Sequence, residues 1–269
     1  MKKFRIAIIS DKGSWFTPYA DTLINELRAF QHDVCRRFTF DEQNSYDICF
    51  ILSYSKIIVP EALHLNKNNI VVHASALPKG KGMSPLTWQI LEGCSEIPLT
   101  LFEAVERVDA GRIYLQRSLH FEGTELIDAL RQKMGSAIIA LCLEFVNHYP
   151  KIIQEAREQQ GEESFYQRRY PKDSQLNIDR TIREQFNLLR VVDNERYPAF
   201  FHYHGKRYRL AIYDDGRIQE REKTMALSDV SLANGHVDGR GALKLFSAKG
   251  FAISVLYTLS PEEFRREAA

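Results

Sequence analysis

The residues best suited to chemistry in this sequence are a histidine and an aspartate that stand beside glycine-containing turns. His73 ends an apolar run and leads into the segment HASALPKGKGMSP, and Asp109 begins Asp-Ala-Gly, 36 residues later. An imidazole gains or loses a proton near neutral pH, and a nearby carboxylate orients it and stabilises its protonated form. Such a pair suits general acid–base catalysis. A satisfied surface histidine and an ordinary turn aspartate are the alternatives.

The loop after His73 has the composition of a ligand-binding loop. Ser75, Gly80 and Gly82 are small enough for a backbone to approach a ligand closely, and Lys79 and Lys81 can meet an anionic one. The spacing is neither that of a Walker P-loop nor that of GxGxxG followed by a helix.

The elements before this loop predict a βαβ arrangement. Apolar runs at 5–10, 33–37, 46–52 and 70–73 read as strands, and a helix with a periodic apolar face begins near Thr17. This alternation predicts a mostly parallel sheet with helices on its faces. Ligands of such sheets bind at the carboxyl ends of strands, and His73 stands at one of them.

The second half changes in character. Two further strands, 98–104 and 112–117, place Asp109 in the turn between them, and a long helix follows. The polar stretch 151–172 reads as a solvated helix end and linker. A helix at 178–189 and strand-like segments separated by Gly and Asp predict a small β-rich domain.

Four motifs in order resemble the folate-dependent formyltransferase family. The first is His73-Ala-Ser75-Ala-Leu77-Pro78 with the glycines that follow, and the second is the Asp109 turn at its offset of 36. The stretch SYSKII at 53–58 looks like a folate-contacting segment, and RRYPKDS at 168–174 looks like the family's linker motif. The resemblance covers roughly residues 1 to 200.

The resemblance implies an α/β fold: a Rossmann-like, mostly parallel formyltransferase domain (1–165), a linker (166–177) and a smaller β-rich C-terminal domain (178–269). It also implies that 10-formyltetrahydrofolate donates a formyl group to a primary amine, with His73 and Asp109 catalytic. The implied folate contacts are Tyr54, Ser55, Lys56, Ile57, Ile58, Leu77, Pro78 and Val108.

One position departs from the family pattern. The family's catalytic asparagine stands two residues before the histidine, where this chain has Val71. We take Asn69 as the candidate third catalytic residue. It faces the same side of a straight strand as His73, but about 13 Å upstream at roughly 3.3 Å per residue, so a bulge would be needed to bring it into the site. Otherwise protonated His73, a backbone N–H or Ser75 stabilises the oxyanion, or the activity is altered or lost.

The resemblance favours a nucleotide-linked amino sugar as the acceptor. The implied substrate contacts are Ser75, Lys79, Gly80, Lys81, Gly82, Arg190, Tyr197 and Phe201. Core packing is the alternative role of the aromatic residues. Methionyl-tRNA is the second acceptor, and a non-catalytic protein that binds folate or a nucleotide sugar is the alternative of another class.

Composition adds mainly exclusions. With 36 Lys and Arg against 35 Asp and Glu, the net charge of +1 gives no electrostatic case for nucleic acid or membrane partners. Four scattered cysteines indicate neither disulfides nor a metal site. We expect a cytoplasmic protein of carbohydrate biosynthesis, with a homodimer as one open oligomeric state.

Overall fold

The computed structural model describes residues 2–40, 45–214, 242–246 and 252–256. The chain divides into two compact units, Met1–Arg168 and Arg169–Ala269. The boundary falls between two arginines of the segment predicted to be a linker.

The first unit is built on a six-stranded sheet in the order β2-β1-β3-β4-β6-β7. The four strands from β2 to β4 are parallel, while β6 and β7 run antiparallel to their neighbours. The strands of this unit are β1 (Arg5–Ile9), β2 (Asp33–Arg37), β3 (Ile48–Ile51), β4 (Asn68–His73), β5 (Lys81–Gly82), β6 (Glu96–Glu103), β7 (Ile113–His120) and β8 (Phe165–Tyr166). The predicted mostly parallel α/β fold is confirmed.

Four helices accompany the sheet: α1 (Thr17–Ala29), α2 (Pro60–Leu63), α3 (Pro85–Leu91) and α4 (Ile127–His148). The buried face of α1 carries Ala20, Leu23, Ile24 and Leu27, the periodic pattern read from the sequence. β1 and β3 are buried nearly throughout, as expected for strands covered on both faces. None of the helices in the described ranges has the length and apolarity that a membrane crossing demands.

The β6–β7 hairpin carries the Asp109 turn, as predicted. Gly111 is the last residue of this turn, and a Cβ atom there would collide with the carbonyl oxygen of Glu103. The glycine therefore lets the returning chain cross close over the end of β6.

The second unit contains a four-stranded antiparallel sheet in the order β11-β12-β10-β9. Its elements are α5 (Phe186–Val191), β9 (Ala199–Tyr203), β10 (Lys206–Tyr213), β11 (Ala242–Phe246) and β12 (Ala252–Leu256). The helix predicted at 178–189 was wrong for residues 178–185, because α5 begins only at Phe186. There Asn177 accepts from the backbone N–H of Asp179 at 2.9 Å, and Glu184 accepts from that of Thr181 at 2.8 Å, and such local bonds compete with helix formation.

The packing of α4 against α1 yields the first prediction. Gly135 of α4 is buried, and a Cβ atom there would lie 2.5 Å from the ring of Tyr19. Alanine normally stabilises a helix interior by about 0.5–1 kcal/mol over glycine, whereas overpacking costs about 1–3 kcal/mol. We expect Gly135→Ala to lower the free energy of unfolding by about 1–2 kcal/mol in urea titration.

Ser136→Ala is the matched control, because Ser136 is the exposed next residue of the same helix. It should raise stability by a few tenths of a kcal/mol. A stabilised Gly135→Ala variant would contradict the close approach of the two helices.

Candidate functional site

His73 is the last residue of β4 and lies almost wholly buried beneath the loop that follows it. Its Nε2 atom is 2.8 Å from the carbonyl oxygen of Gly80. A carbonyl oxygen only accepts, so the Nε2 nitrogen must carry the hydrogen of this bond. In the neutral ring, Nδ1 is then the nitrogen with the free lone pair, which makes Nδ1 the proton acceptor.

Asp109 is held by the same loop. Its Oδ2 atom accepts a hydrogen bond of 2.8 Å from the backbone N–H of Gly82. Asp109 itself has the left-handed backbone angle φ of 52°. A non-glycine residue in that conformation costs about 1–2 kcal/mol, so surrounding contacts must impose it.

The loop of residues 74–84 folds back across the sheet to make these two bonds. Leu77 is buried in one cluster with Phe102 and Ile113, and Val71 packs against that cluster. The hydroxyl of Thr100 donates to the carbonyl oxygen of Ser75 at 2.6 Å. These contacts tie the loop to β6, next to the end of β4.

Glycine is required at positions 80 and 82, whose peptide groups bond the His73 and Asp109 side chains. A Cβ atom on Gly82 would fall on the carbonyl oxygen of Tyr166, and one on Gly80 would lie 2.9 Å from the Cβ of Ser75. Both glycines also have left-handed φ angles, 70° at Gly80 and 96° at Gly82. The roles of Gly80 and Gly82 in substrate binding remain predictions.

Asn69 is not brought to His73. The register of β4 against β6 is continuous from Ile70 to His73, so there is no bulge that moves the asparagine along the strand. Its side chain is buried, donates to Leu63 O at 2.8 Å and accepts from Asn66 at 2.9 Å. The predicted catalytic placement of Asn69 is therefore wrong, since its amide bonds residues of the segment that precedes β4.

Val71 has a packing role at the position where the family has its asparagine. It lies on the same face of β4 as His73, two residues away. Besides the Leu77 cluster, it packs against a second cluster that Tyr54, Ile58 and Ala104 also contact. An apolar side chain suits this position because it packs against two apolar clusters.

Of the two loop lysines, the structure leaves Lys79 exposed and buries Lys81 to 1%. The ammonium of Lys81 pairs with Glu163 at 2.7 Å. The expectation that Lys81 meets an anionic substrate is therefore wrong, because its charge is enclosed and already neutralised. Ser75 is also enclosed, at 2% exposure, and its hydroxyl has no hydrogen-bond partner among the described residues.

The segment predicted to contact folate leaves β3 beside β1. The backbone N–H of Ser55 donates to Asp11 at 3.0 Å, which anchors the segment on the loop after β1. Tyr54 is half-buried, with the ammonium of Lys56 5.9 Å from its ring centre. Burial and the nearby Asp11 carboxylate raise the pKa of the Tyr54 hydroxyl, so it stays protonated as a hydrogen-bond donor.

Two apolar side chains of the predicted folate set face solvent. Ile57 is 84% exposed and Val108 is 55% exposed. Leu77 and Pro78 are buried in the loop, and Leu77 contacts the Val71 region. Val71 packs against the Leu77 cluster and also against the buried cluster that Tyr54 and Ile58 contact.

The three predicted substrate residues of the second unit make contacts inside that unit. Arg190 is buried and donates to Asn187 at 3.2 Å. Tyr197 accepts through its carbonyl oxygen from Ser174, and Phe201 stacks on Tyr208 with 5.3 Å between ring centres. A cavity of about 300 Å³ in this unit is lined by other residues: Gln175, Leu176, Asn177, Ile178 and His202. The nucleotide-binding role of the three residues remains a prediction.

Three residues near the site were missed by the sequence interpretation. Gln159, Glu163 and Ser164 contact the Asp109 turn or the 74–84 loop. They belong to the stretch that was read as solvated linker, and that reading was wrong for them. The stretch has no apolar periodicity, so only the opposite charges of Glu163 and Lys81 offered a signal.

Part of this chain is similar to known formyl transferases. Residues 39–141 match the family model described as formyl transferase. The methionyl-tRNA formyltransferase of Ehrlichia ruminantium is 28% identical over 175 residues, which cover 63% of this chain and 55% of that protein. The chain thus spans about half the length of this relative.

Solved structures extend the similarity to nearly the whole chain. Methionyl-tRNA formyltransferase from Clostridium thermocellum superposes with a TM-score of 0.66 at 19% identity, covering 95% of this chain and 100% of that one. The fold is that of the formyltransferases. HypX from Aquifex aeolicus in complex with tetrahydrofolic acid gives 0.67 at 14% identity, covering 94% and 44%. A sugar N-formyltransferase from a Shewanella species gives 0.56 at 13% identity, covering 76% and 95%.

Residues 39–141 are thus similar to the formyl transferase family, and the solved structures share the fold. The family match begins before β3 and ends within α4, so it includes His73, Asp109 and the loop that holds them.

A buried carboxyl group beside β4 gives a pH prediction. Glu103 accepts hydrogen bonds from the Asn69 backbone, the Tyr114 hydroxyl and the Asn68 amide. Burial outweighs these bonds and raises the pKa of the Glu103 carboxyl above its ordinary value of 4.5. An acid with a raised folded-state pKa contributes stability below its unfolded pKa and loses it as pH rises through the folded value.

The stability of Glu103→Gln relative to the wild type should therefore increase as pH rises above 4.5. Urea titrations from about pH 4 to about pH 8 measure this difference. Two stability curves that stay parallel over this range would show that the carboxyl is not perturbed by burial.

Proposed function

We propose that this protein transfers a formyl group from 10-formyltetrahydrofolate to a primary amine, at a site centred on His73 and Asp109. The observation that carries the proposal is the shared support of the two side chains. Gly80 accepts from the imidazole and Gly82 donates to the carboxylate, so a three-residue stretch sets the position of both. The match of residues 39–141 to the formyl transferase model supports the same chemistry.

The surroundings of Val71 fit a folate. A pterin is a flat ring with apolar faces. Val71, on the face of the sheet that His73 shares, packs against the cluster of buried Leu77 and against the cluster that half-buried Tyr54 and Ile58 also contact. Exposed Ile57 and Val108 offer further apolar surface on the two segments predicted to contact the cofactor. These residues would hold the ring, while the loop backbone offers polar groups.

The protein groups then have separable roles. When bound, 10-formyltetrahydrofolate would supply the formyl group, which would pass from N10 to the nitrogen of the amine. His73 takes the proton that the amine sheds at Nδ1, because Nε2 is engaged by Gly80. Once protonated, the Nδ1–H is a donor for the negative charge that develops on the formyl oxygen. His73 would then return the proton to the leaving nitrogen.

Asp109 orients the site through charge. Its second oxygen is left to meet the imidazolium or the incoming amine, while Gly82 fixes the first. A carboxylate close to a protonated imidazole stabilises it, so the aspartate lowers the barrier to proton transfer.

For the acceptor, we propose a nucleotide-linked amino sugar. Exposed Lys79 lies one residue before Gly80 and can meet a diphosphate, and the near-neutral net charge of +1 suits a small substrate better than a polyanion. The Shewanella sugar N-formyltransferase shares the fold over 95% of its length. Arg190, Tyr197 and Phe201 are the proposed nucleotide contacts of the second unit.

Methionyl-tRNA is the second candidate acceptor. Its support is the Ehrlichia relative, which is named for that activity and matches 63% of this chain. A mass-spectrometric assay separates the two: protein and 10-formyltetrahydrofolate are mixed with UDP- and dTDP-linked amino sugars or with methionyl-tRNA. A sugar heavier by the mass of CO supports the first acceptor, and formylated methionyl-tRNA alone supports the second. Formylation of neither, under conditions in which folate binds, would contradict the proposed activity.

Substitution of the two central residues tests the mechanism. His73→Ala should lower kcat at least about a hundredfold, because general acid–base groups contribute roughly 10²–10⁴. Asp109→Asn retains an oxygen that accepts from Gly82, so it should fold normally while turnover falls. Single-turnover rates and thermal unfolding measure the two effects. An Asp109→Asn variant that unfolds would assign the aspartate to the turn rather than to catalysis.

A further inference from the structure

The chain after α4 runs along both loops of the candidate site. This strap, residues 157–167, begins where Arg157 pairs with Ile113 of β7 in both directions, at 2.8 and 2.9 Å. It ends where Trp88 of α3 donates to the carbonyl oxygen of Gln167 at 2.8 Å. Between these anchors it contacts the 74–84 loop and the Asp109 turn, and the Tyr166 hydroxyl also donates to Glu92 at 2.6 Å.

Ser164 fixes the peptide groups around Gly80. Its hydroxyl oxygen accepts from the backbone N–H of Gly80 at 2.8 Å, and its carbonyl oxygen accepts from that of Lys81 at 2.9 Å. The Gly80 residue that donates to Ser164 is the one whose carbonyl oxygen takes the His73 imidazole. A rotation of this residue would therefore move the acceptor that selects the His73 tautomer.

Gln159 fixes the backbone around Asp109. Its Nε2 amide donates to the carbonyl oxygens of Asp109 and Gly111, each at 2.9 Å. These bonds bracket the residue with the left-handed φ of 52°. Gln159 thus stabilises a turn conformation that an aspartate adopts at a cost.

Glu163 joins the two loops. One carboxylate oxygen pairs with buried Lys81 at 2.7 Å, and the other pairs with Arg107 of the Asp109 hairpin at 2.6 Å. The Lys81 ammonium, with a smaller contribution from Arg107, holds the pKa of the Glu163 carboxyl below its ordinary value. A buried ammonium without its partner is strongly destabilising, so this pair keeps the strap closed over the loop.

We propose that the strap is the positioning element of the active site, and that Ser164 and Gln159 are positioning residues for His73 and Asp109, respectively. This proposal rests on the proposed function for its catalytic readout. Both residues act through backbone groups of the loops and neither needs to touch substrate. A displacement of about 1 Å in a catalytic group can cost roughly a hundredfold in rate, so small movements of these backbones matter.

Ser164 is tested with a deletion and its conservative rescue. Ser164→Ala removes the acceptor of the Gly80 N–H and should lower kcat about tenfold, the equivalent of one hydrogen bond. KM for the folate should stay within about twofold, since the folate residues are untouched. Ser164→Thr keeps the hydroxyl at an exposed position and should restore kcat. Ser118→Ala, at an exposed position of β7, is the matched control and should leave kcat unchanged.

Gln159 is tested with two substitutions of similar size. Gln159→Leu removes both donors and should lower kcat about tenfold. Gln159→Glu places a carboxylate against two carbonyl oxygens and should lose more activity than leucine does. If packing alone explained the role of Gln159, glutamate would lose no more activity than leucine.

Hydrogen exchange at backbone amides tests the proposal independently of enzymatic activity. The Gly80 amide should exchange faster in Ser164→Ala than in the wild type, and the Gly82 amide faster in Gln159→Leu. If the wild type transfers formyl groups while all Ser164 and Gln159 variants keep full kcat, the proposal is overturned. If the wild type transfers none, the proposed function fails, and unchanged exchange at Gly80 and Gly82 would also overturn the positioning role.

Discussion

The site depends on one constraint, the backbone conformation of residues 80 to 82. A carbonyl oxygen and an N–H two residues apart hold the His73 imidazole and the Asp109 carboxylate. Both bonds use peptide groups, so side chains around the loop can be substituted while the bonds to His73 and Asp109 are kept. Left-handed φ angles at Gly80 and Gly82 make the arrangement specific to glycine.

Several costly features of the fold are consequences of this constraint. The loop returns over the sheet because Leu77 packs in an apolar cluster that Val71 also contacts. An amide side chain in place of Val71 would lie against these apolar groups, which offer it no hydrogen bond. Lys81 is enclosed at 1% exposure, which requires the carboxylate of Glu163. Asp109 adopts a left-handed turn, which Gln159 and Gly111 make tolerable.

The sequence predicted the elements that local patterns determine, and it did not predict the contacts between residues that are far apart in the chain. Apolar runs and turn residues located the parallel strands, and the position of His73 at a strand end followed from them. The burial of Lys81 could not be read from the sequence, because its partner Glu163 lies 82 residues away. The hydrogen bonds of Asn69, in which its amide donates to Leu63 and accepts from Asn66, could not be read from the sequence either. The strap was misread as a solvated linker because its polar side chains bond peptide groups of the two loops, and such contacts leave no apolar periodicity in the sequence.

The central claim is that Gly80 fixes His73 with its hydrogen on Nε2, and nitrogen NMR of the imidazole tests it most directly. Long-range proton–nitrogen correlations distinguish the two neutral tautomers, and His73→Gln identifies the His73 signals by their loss. The account predicts a neutral ring protonated at Nε2, with that proton protected from exchange by its bond to the Gly80 carbonyl. A ring protonated at Nδ1, or a rapid average of both tautomers, would contradict it.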